Sequence, residues 1–122
     1  MTEEQKRQEL QKIYEDTKEM TQPIQIRMSG VGKEIIALKK DIEEYSKKSK
    51  KELPTLAKPT SNLTYFTIKE VKAISIDRVW EKKVIELIHL EKRYKLLNDA
   101  FYCLSEESKI RCDKILENET QE

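Results

Sequence analysis

The chain has 122 residues, 39% of them charged and 37% hydrophobic, with 24 Lys and Arg against 23 Asp and Glu for a formal net charge of +1. That length fits one domain of ordinary size, but so charged a composition excludes a thick core, and the near-neutral balance excludes a wholesale nucleic-acid coat. No apolar run approaches the roughly 20 residues a membrane span needs, and 2 Gly with 3 Pro in a charge-rich chain are the composition of long helices.

The start, Met1-Thr2-Glu3-Glu4, is acidic and lacks a hydrophobic signal core, so a cytosolic rather than a secreted protein is expected. A first helix should begin at Thr2, whose hydroxyl can accept from the backbone NH of Gln5 while the Gln5 side chain reaches back, a capping box. Leu10, Ile13, Tyr14, Thr17 and Met20 then face one side. Pro23 disfavours helical geometry at Gln22 and removes one NH. Gly30 and Gly32 together cost roughly 2 kcal/mol relative to alanine inside a helix, so an interruption is expected here. The apolar step nevertheless continues through Ile24 and Met28 into Val31, and a kinked continuous helix is the alternative.

A second helix is expected over 32–51, with Val31, Ile35, Leu38, Ile42 and Tyr45 as one apolar edge that another helix must cover. Glu43 to Lys47 and Glu44 to Lys48 have the favourable i,i+4 orientation. The cluster Lys47, Lys48, Lys50, Lys51 and Lys58 reads first as a solvated helix end opposing the dipole. Its functional reading is contact with phosphates or an acidic protein, although the aromatic interleaving of a single-strand binder is missing. Residues 53–66 contain two prolines and a Thr60-Ser61-Asn62 run, the composition of a connector and internal hinge. Between Leu63 and Val71, Tyr65, Phe66 and Thr67 favour a strand, while Thr67 with Glu70 makes a capping box. A lone strand would lack a partner, so a short helix or ordered loop is expected.

The longest helix is expected from about Ser75, with Asp77 in its first turn complementing the macrodipole. Ile76, Trp80, Leu87, Leu90, Tyr94, Leu97, Phe101 and Leu104 recur at alternating steps of three and four, interrupted by Lys83. Val84 and Ile88 widen this seam. Lys83 is tolerable at a margin of the core, where its stem packs and its amine reaches water, so the better buried half should lie between Leu87 and Leu104. Ser105 followed by Glu106 and Glu107 reads as a new N-cap, giving a turn at Leu104-Ser105 and a last helix to about Asn118 whose inner face carries Cys112, Ile115 and Leu116. The acidic tail 117–122 should fray.

No residue set for catalysis, cofactor or metal is found. Glu86 and His89, three apart on a helix, resemble half of a di-metal carboxylate motif, but that architecture needs two such pairs and further carboxylates, and the chain has one His. Gly30-Val31-Gly32-Lys33 fails as a phosphate loop because Arg27 stands at the upstream glycine position and Glu34 replaces the magnesium-binding hydroxyl. Neither Cys103 nor Cys112 has a base beyond His89, and both read as small buried hydrophobes near a helix junction. Asn62-Leu63-Thr64 and Asn118-Glu119-Thr120 fit a glycosylation pattern that has no consequence without export. A non-enzyme is therefore expected.

From about Leu63 the chain resembles the middle portion of phage late transcription regulators of the ArpU and RinA type, over under half of its length. The resemblance lies in Leu63-Thr64-Tyr65, in the helix start Ser75-Ile76-Asp77, and in the stretch Glu91-Lys92-Arg93-Tyr94-Lys95-Leu96-Leu97-Asn98-Asp99-Ala100. Leu104-Ser105-Glu106-Glu107-Ser108-Lys109-Ile110 resembles the acidic cap and short helix that open the sigma-region-4-like domain of those regulators. In that family a DNA-reading helix-turn-helix follows. The chain is expected to stop where that module would begin, so the resemblance carries DNA reading to no residue here and implies a scaffold suited to binding a protein.

The expected fold is all-α: three or four helices in one domain, forming an antiparallel hairpin or small bundle in which the second and long helices pair. With so thin a core, a homodimer is expected over a monomer. The expected function is a small, phage-borne regulator or inhibitor acting by helix-mediated binding to a transcription or host-defence protein. Its contact residues would be Trp80, Tyr94 and Phe101, guided by Lys47, Lys48, Lys50 and Lys51. The alternative is an accessory transcription regulator using that lysine cluster on DNA phosphates.

Overall fold

The computed structural model describes residues 2–49, 53 and 67–120, and these form three α-helices: α1 (Glu3–Lys48), α2 (Ile68–Ile74) and α3 (Arg78–Thr120). The fold is all-α, with α1 and α3 long and packed antiparallel. The chain divides into two compact units, one made of Met1–Met28 with Leu97–Glu122 and the other of Ser29–Leu96.

α1 starts where the capping box places it. The Gln5 NH donates to the Thr2 hydroxyl at 3.2 Å and the Thr2 NH donates to the Gln5 side chain at 3.0 Å. The interruption expected between Pro23 and Gly32 is not there, and the helix runs unbroken to Lys48. Proline leaves one carbonyl without its helical donor, that of Glu19, an exposed residue whose carbonyl water can serve. The two glycines keep negative φ. Their propensity cost is local, whereas the apolar step through Ile24, Met28, Val31 and Ile35 stays buried or half-buried only if the helical phase is kept. Lys51, the expected end of this segment, lies outside the described residues.

In the unit Ser29–Leu96, partners on α3 fall in number as those on α1 rise: Gly32 lies against Tyr94, Lys39 pairs with Glu91, Asp41 with Lys83, and Tyr45 meets Asp77. The core joins Ile42, Leu53, Val71, Trp80, Val84, Leu87 and Ile88, with Ile35, Leu38, Tyr45 and Ile85 packed against it. Each side chain taken fully out of water here contributes about 1.5–3 kcal/mol. Leu53, expected as the start of the connector, is a member of this core; residues 54–66 of that connector lie outside the described residues. The short helix expected near Thr67 is α2, whose Val71 is fully buried.

Two expectations for the long helix are corrected. Its deepest stretch is Trp80 to Leu90, not Leu87 to Leu104: Trp80, Val84, Leu87 and Ile88 are fully buried, whereas Tyr94 is exposed and Leu97, Phe101 and Leu104 are half-buried. The reason is a third layer. Val71 and Leu53 join the core with the Trp80–Ile88 stretch of α3, but among the described residues the stretch from Leu97 onward has α1 alone for a partner. There is also no turn at Leu104-Ser105, and α3 continues through the acidic tail to Thr120. Ser105, Glu106 and Glu107 lose only a few tenths of a kcal/mol inside a helix.

In the unit of Met1–Met28 with Leu97–Glu122, the Thr17 hydroxyl donates to the Ile13 carbonyl at 2.7 Å and shares a 2.8 Å hydrogen bond with Ser108 of α3. Thr21 donates to the Thr17 carbonyl at 2.9 Å. Ile13 is the one hydrophobic side chain buried here among the described residues; Leu10, Ile24, Met28, Leu97, Phe101, Leu104 and Ile115 are half-buried. Among the described residues no helix is long and apolar enough to cross a membrane.

Candidate functional site

Between α2 and α3 lies an elbow, residues 75–77. Thr67 caps α2, accepting from the Glu70 NH at 3.1 Å, and Val71 pins that helix to the core. Ser75 ends it in extended geometry, and its hydroxyl donates to the Asp77 carbonyl at 3.0 Å. Asp77 is the N-cap of α3: one carboxylate oxygen accepts from the Trp80 NH at 2.9 Å, and the Tyr45 hydroxyl of α1 donates to the same carboxylate, 2.9 Å from each oxygen. α3 thus starts at Arg78, three residues after Ser75, and Ile76, expected to open the seam, stands on the bend. Donation to Asp77, with lesser contributions from burial and from the carboxylate charge, raises the Tyr45 pKa above its ordinary value.

Beside this link, the Lys83 amine is paired with Asp41 and lies 5.9 Å from the Tyr45 ring centroid. Lys83 therefore sits at a half-buried margin, as its place in the seam implies. Lys39 and Glu91 form a second pair at 3.2 Å, with only 14% and 8% of their side chains exposed. These polar links were missed from the sequence. Lys83 breaking an apolar seam, and Asp77 three residues ahead of Trp80, were the available signals.

The locked elbow presents aliphatic surface. Ile74, Ile76 and Val79 are 45%, 56% and 48% exposed within six residues. Single exposed hydrophobes are ordinary. Here three lie within one short segment whose backbone is held by the Ser75 and Asp77 hydrogen bonds, with the exposed cations Lys72, Arg78 and Lys82 near them in sequence.

The residues singled out from sequence are not brought together. Trp80 is fully buried, its indole NH without a hydrogen-bond partner among the described residues, so it offers no contact surface. Tyr94 is exposed with one ring edge against Gly32. Phe101 belongs to the other unit and packs edge-on to Tyr102 at 6.2 Å and 82°. Lys47 is exposed and pairs with Glu43 at 3.3 Å; Lys48 is exposed; Lys50, Lys51 and Lys58 lie outside the described residues. Glu86 and His89 are both exposed, and among the described residues no group of three or more His, Cys, Asp or Glu is placed to hold a metal. The cysteines differ from expectation: with no helix junction near them, Cys103 is exposed and Cys112 half-buried.

No protein-family model, no curated protein and no solved structure matches the chain.

Proposed function

We propose that this chain is a non-catalytic regulator or inhibitor that acts by binding a protein partner at the α2–α3 elbow. The observation that carries this reading is the exposure of Ile74, Ile76 and Val79 on a backbone fixed by Asp77, Ser75 and Tyr45. A backbone already held in position spares binding part of the cost of ordering a loop, and a small apolar centre with a polar rim is the usual anatomy of a contact patch. Lys72, Arg78 and Lys82 give that rim a basic character favouring an acidic partner. The resemblance of 63–110 to phage late regulators supports a phage-borne protein whose partner belongs to transcription or host defence.

The alternative of phosphate contact through Lys47, Lys48, Lys50 and Lys51 is less favoured. Lys47 is engaged by Glu43, and both described lysines sit in the last turn of α1, where cations offset the helix dipole. The test is affinity capture from a lysate of the encoding organism, with the wild-type chain and Ile76→Glu as matched baits. A protein retained by the first and lost by the second is expected. Tight, steeply salt-dependent DNA binding that disappears in the Lys47/Lys48/Lys50/Lys51→Ala variant would overturn the reading.

A further inference from the structure

Independently of the elbow, the unit of Met1–Met28 with Leu97–Glu122 carries an outward face with its own heptad-like pattern. An open groove of about 340 Å³ between α1 and α3 is lined by Glu9, Lys12, Ile13, Arg111, Lys114 and Ile115. From that groove two stripes run at steps of four, three and four, the spacing that keeps residues on one side of a helix. On α1 the stripe is Glu9, Ile13, Asp16 and Met20; on α3 it is Lys114, Ile110, Glu107 and Cys103. Of these, Glu9, Met20, Cys103, Glu107, Ile110 and Lys114 are exposed, Asp16 is half-buried and Ile13 is buried at the base of the groove. Neither Lys12, Arg111 nor Lys114 has an ion-pair partner among the described residues.

We infer that this face docks a second copy of the chain, two hairpins closing about a two-fold axis into a four-helix bundle. Two features select a second copy as the occupant. The first is burial: among the described residues Ile13 is the one buried hydrophobe of this two-helix layer, Met20 and Ile110 stand 46% and 54% exposed on the face, and stacking two such layers is the ordinary way to cover them. The second is charge. The groove end is rich in cations, Lys12, Arg111 and Lys114, and the next turn inward is acidic, with Asp16 and Glu107. Lys114 and Glu107 lie four residues after and three before Ile110, so a two-fold axis near Ile110 brings Ile110 against its own copy and sets each Lys114 opposite Glu107 of the partner subunit. An isologous interface requires such self-complementarity, and opposite charges placed this way fix its register.

The test is the mass of the full-length chain in reducing buffer, by sedimentation equilibrium over a concentration series. A dimer is expected. Ile110→Glu should give a monomer, and Lys114→Glu should weaken the dimer at least about tenfold. The double variant Lys114→Glu with Glu107→Lys restores opposite signs across the axis and should recover most of that loss, which a general loss of folding would not. Helicity and the emission of Trp80, buried in the other unit, should stay constant throughout. A monomer at every concentration up to about 100 μM, a dimer indifferent to Ile110→Glu, or a double variant no better than Lys114→Glu would each overturn the inference.

Discussion

Replacing Gly30 and Gly32 by alanine probes the least expected feature of the fold, the unbroken run of α1. Inside a helix, glycine is about 0.8–1.0 kcal/mol less favourable than alanine, because the freer unfolded chain loses more entropy on folding. Whether that gain is realised depends on the room for a methyl group. A Cβ at Gly30 meets nothing within 4 Å, and at Gly32 its nearest neighbour is Tyr94 Cε2 at 3.7 Å, an ordinary van der Waals distance. Neither glycine has positive φ. Each substitution should therefore stabilise the protein by about 1 kcal/mol, and the pair, two residues apart and on different sides of the helix, by about 2 kcal/mol. The assay is urea denaturation followed by helicity and by the single tryptophan, Trp80, which lies in the core of the same unit. In a chain of this length, 1 kcal/mol corresponds to a Tm shift of roughly 3–6 °C. A double variant no more stable than the wild type, or less stable, would refute the continuous helix and restore the interruption that Pro23 and the two glycines imply.

Leu87→Ala removes a fully buried side chain from the joint core of the three helices and should cost about 3 kcal/mol, within the roughly 2–5 kcal/mol spread for such truncations; equal stability by urea denaturation would contradict that packing. For Tyr45, the pKa raised by donation to Asp77 means that the folded state binds the phenolic proton more tightly than the unfolded state. Its contribution is thus fully present below the unfolded tyrosine pKa of about 10 and is lost as pH rises through the higher folded value. Tyr45→Phe should therefore narrow its stability gap to the wild type as pH rises from 9 toward 11, each pH read by its own denaturation curve; a constant gap would exclude the Tyr45 to Asp77 bond.

Periodicity was enough to read the antiparallel pairing of α1 with α3, because Val31 to Tyr45 and Trp80 to Leu90 each mark one edge of a helix, and edges so narrow must meet. Capping chemistry was equally legible: Thr2 with Gln5 and Thr67 with Glu70 act locally, within three residues. The errors arose where a local preference competed with tertiary packing. Pro23, Gly30, Gly32 and Ser105 all vote for breaks, each at a cost of a few kcal/mol or less, and continuous apolar phase outweighs them. The site was the least legible part. Trp80 looks like a contact residue because of its size, yet that size fills the core, whereas the exposure of Ile74, Ile76 and Val79 follows from the bend at Ser75 and Asp77 that no periodicity announces.

The central functional claim is that partner contact centres on the elbow, and hydrogen exchange on the captured complex tests it most directly. The account predicts added protection over 72–82 on partner binding, with 3–28 and 97–117 exchanging as in the free protein. Protection that falls instead on those outer segments, or on the lysine-bearing end of α1, while the elbow is unchanged, would contradict it.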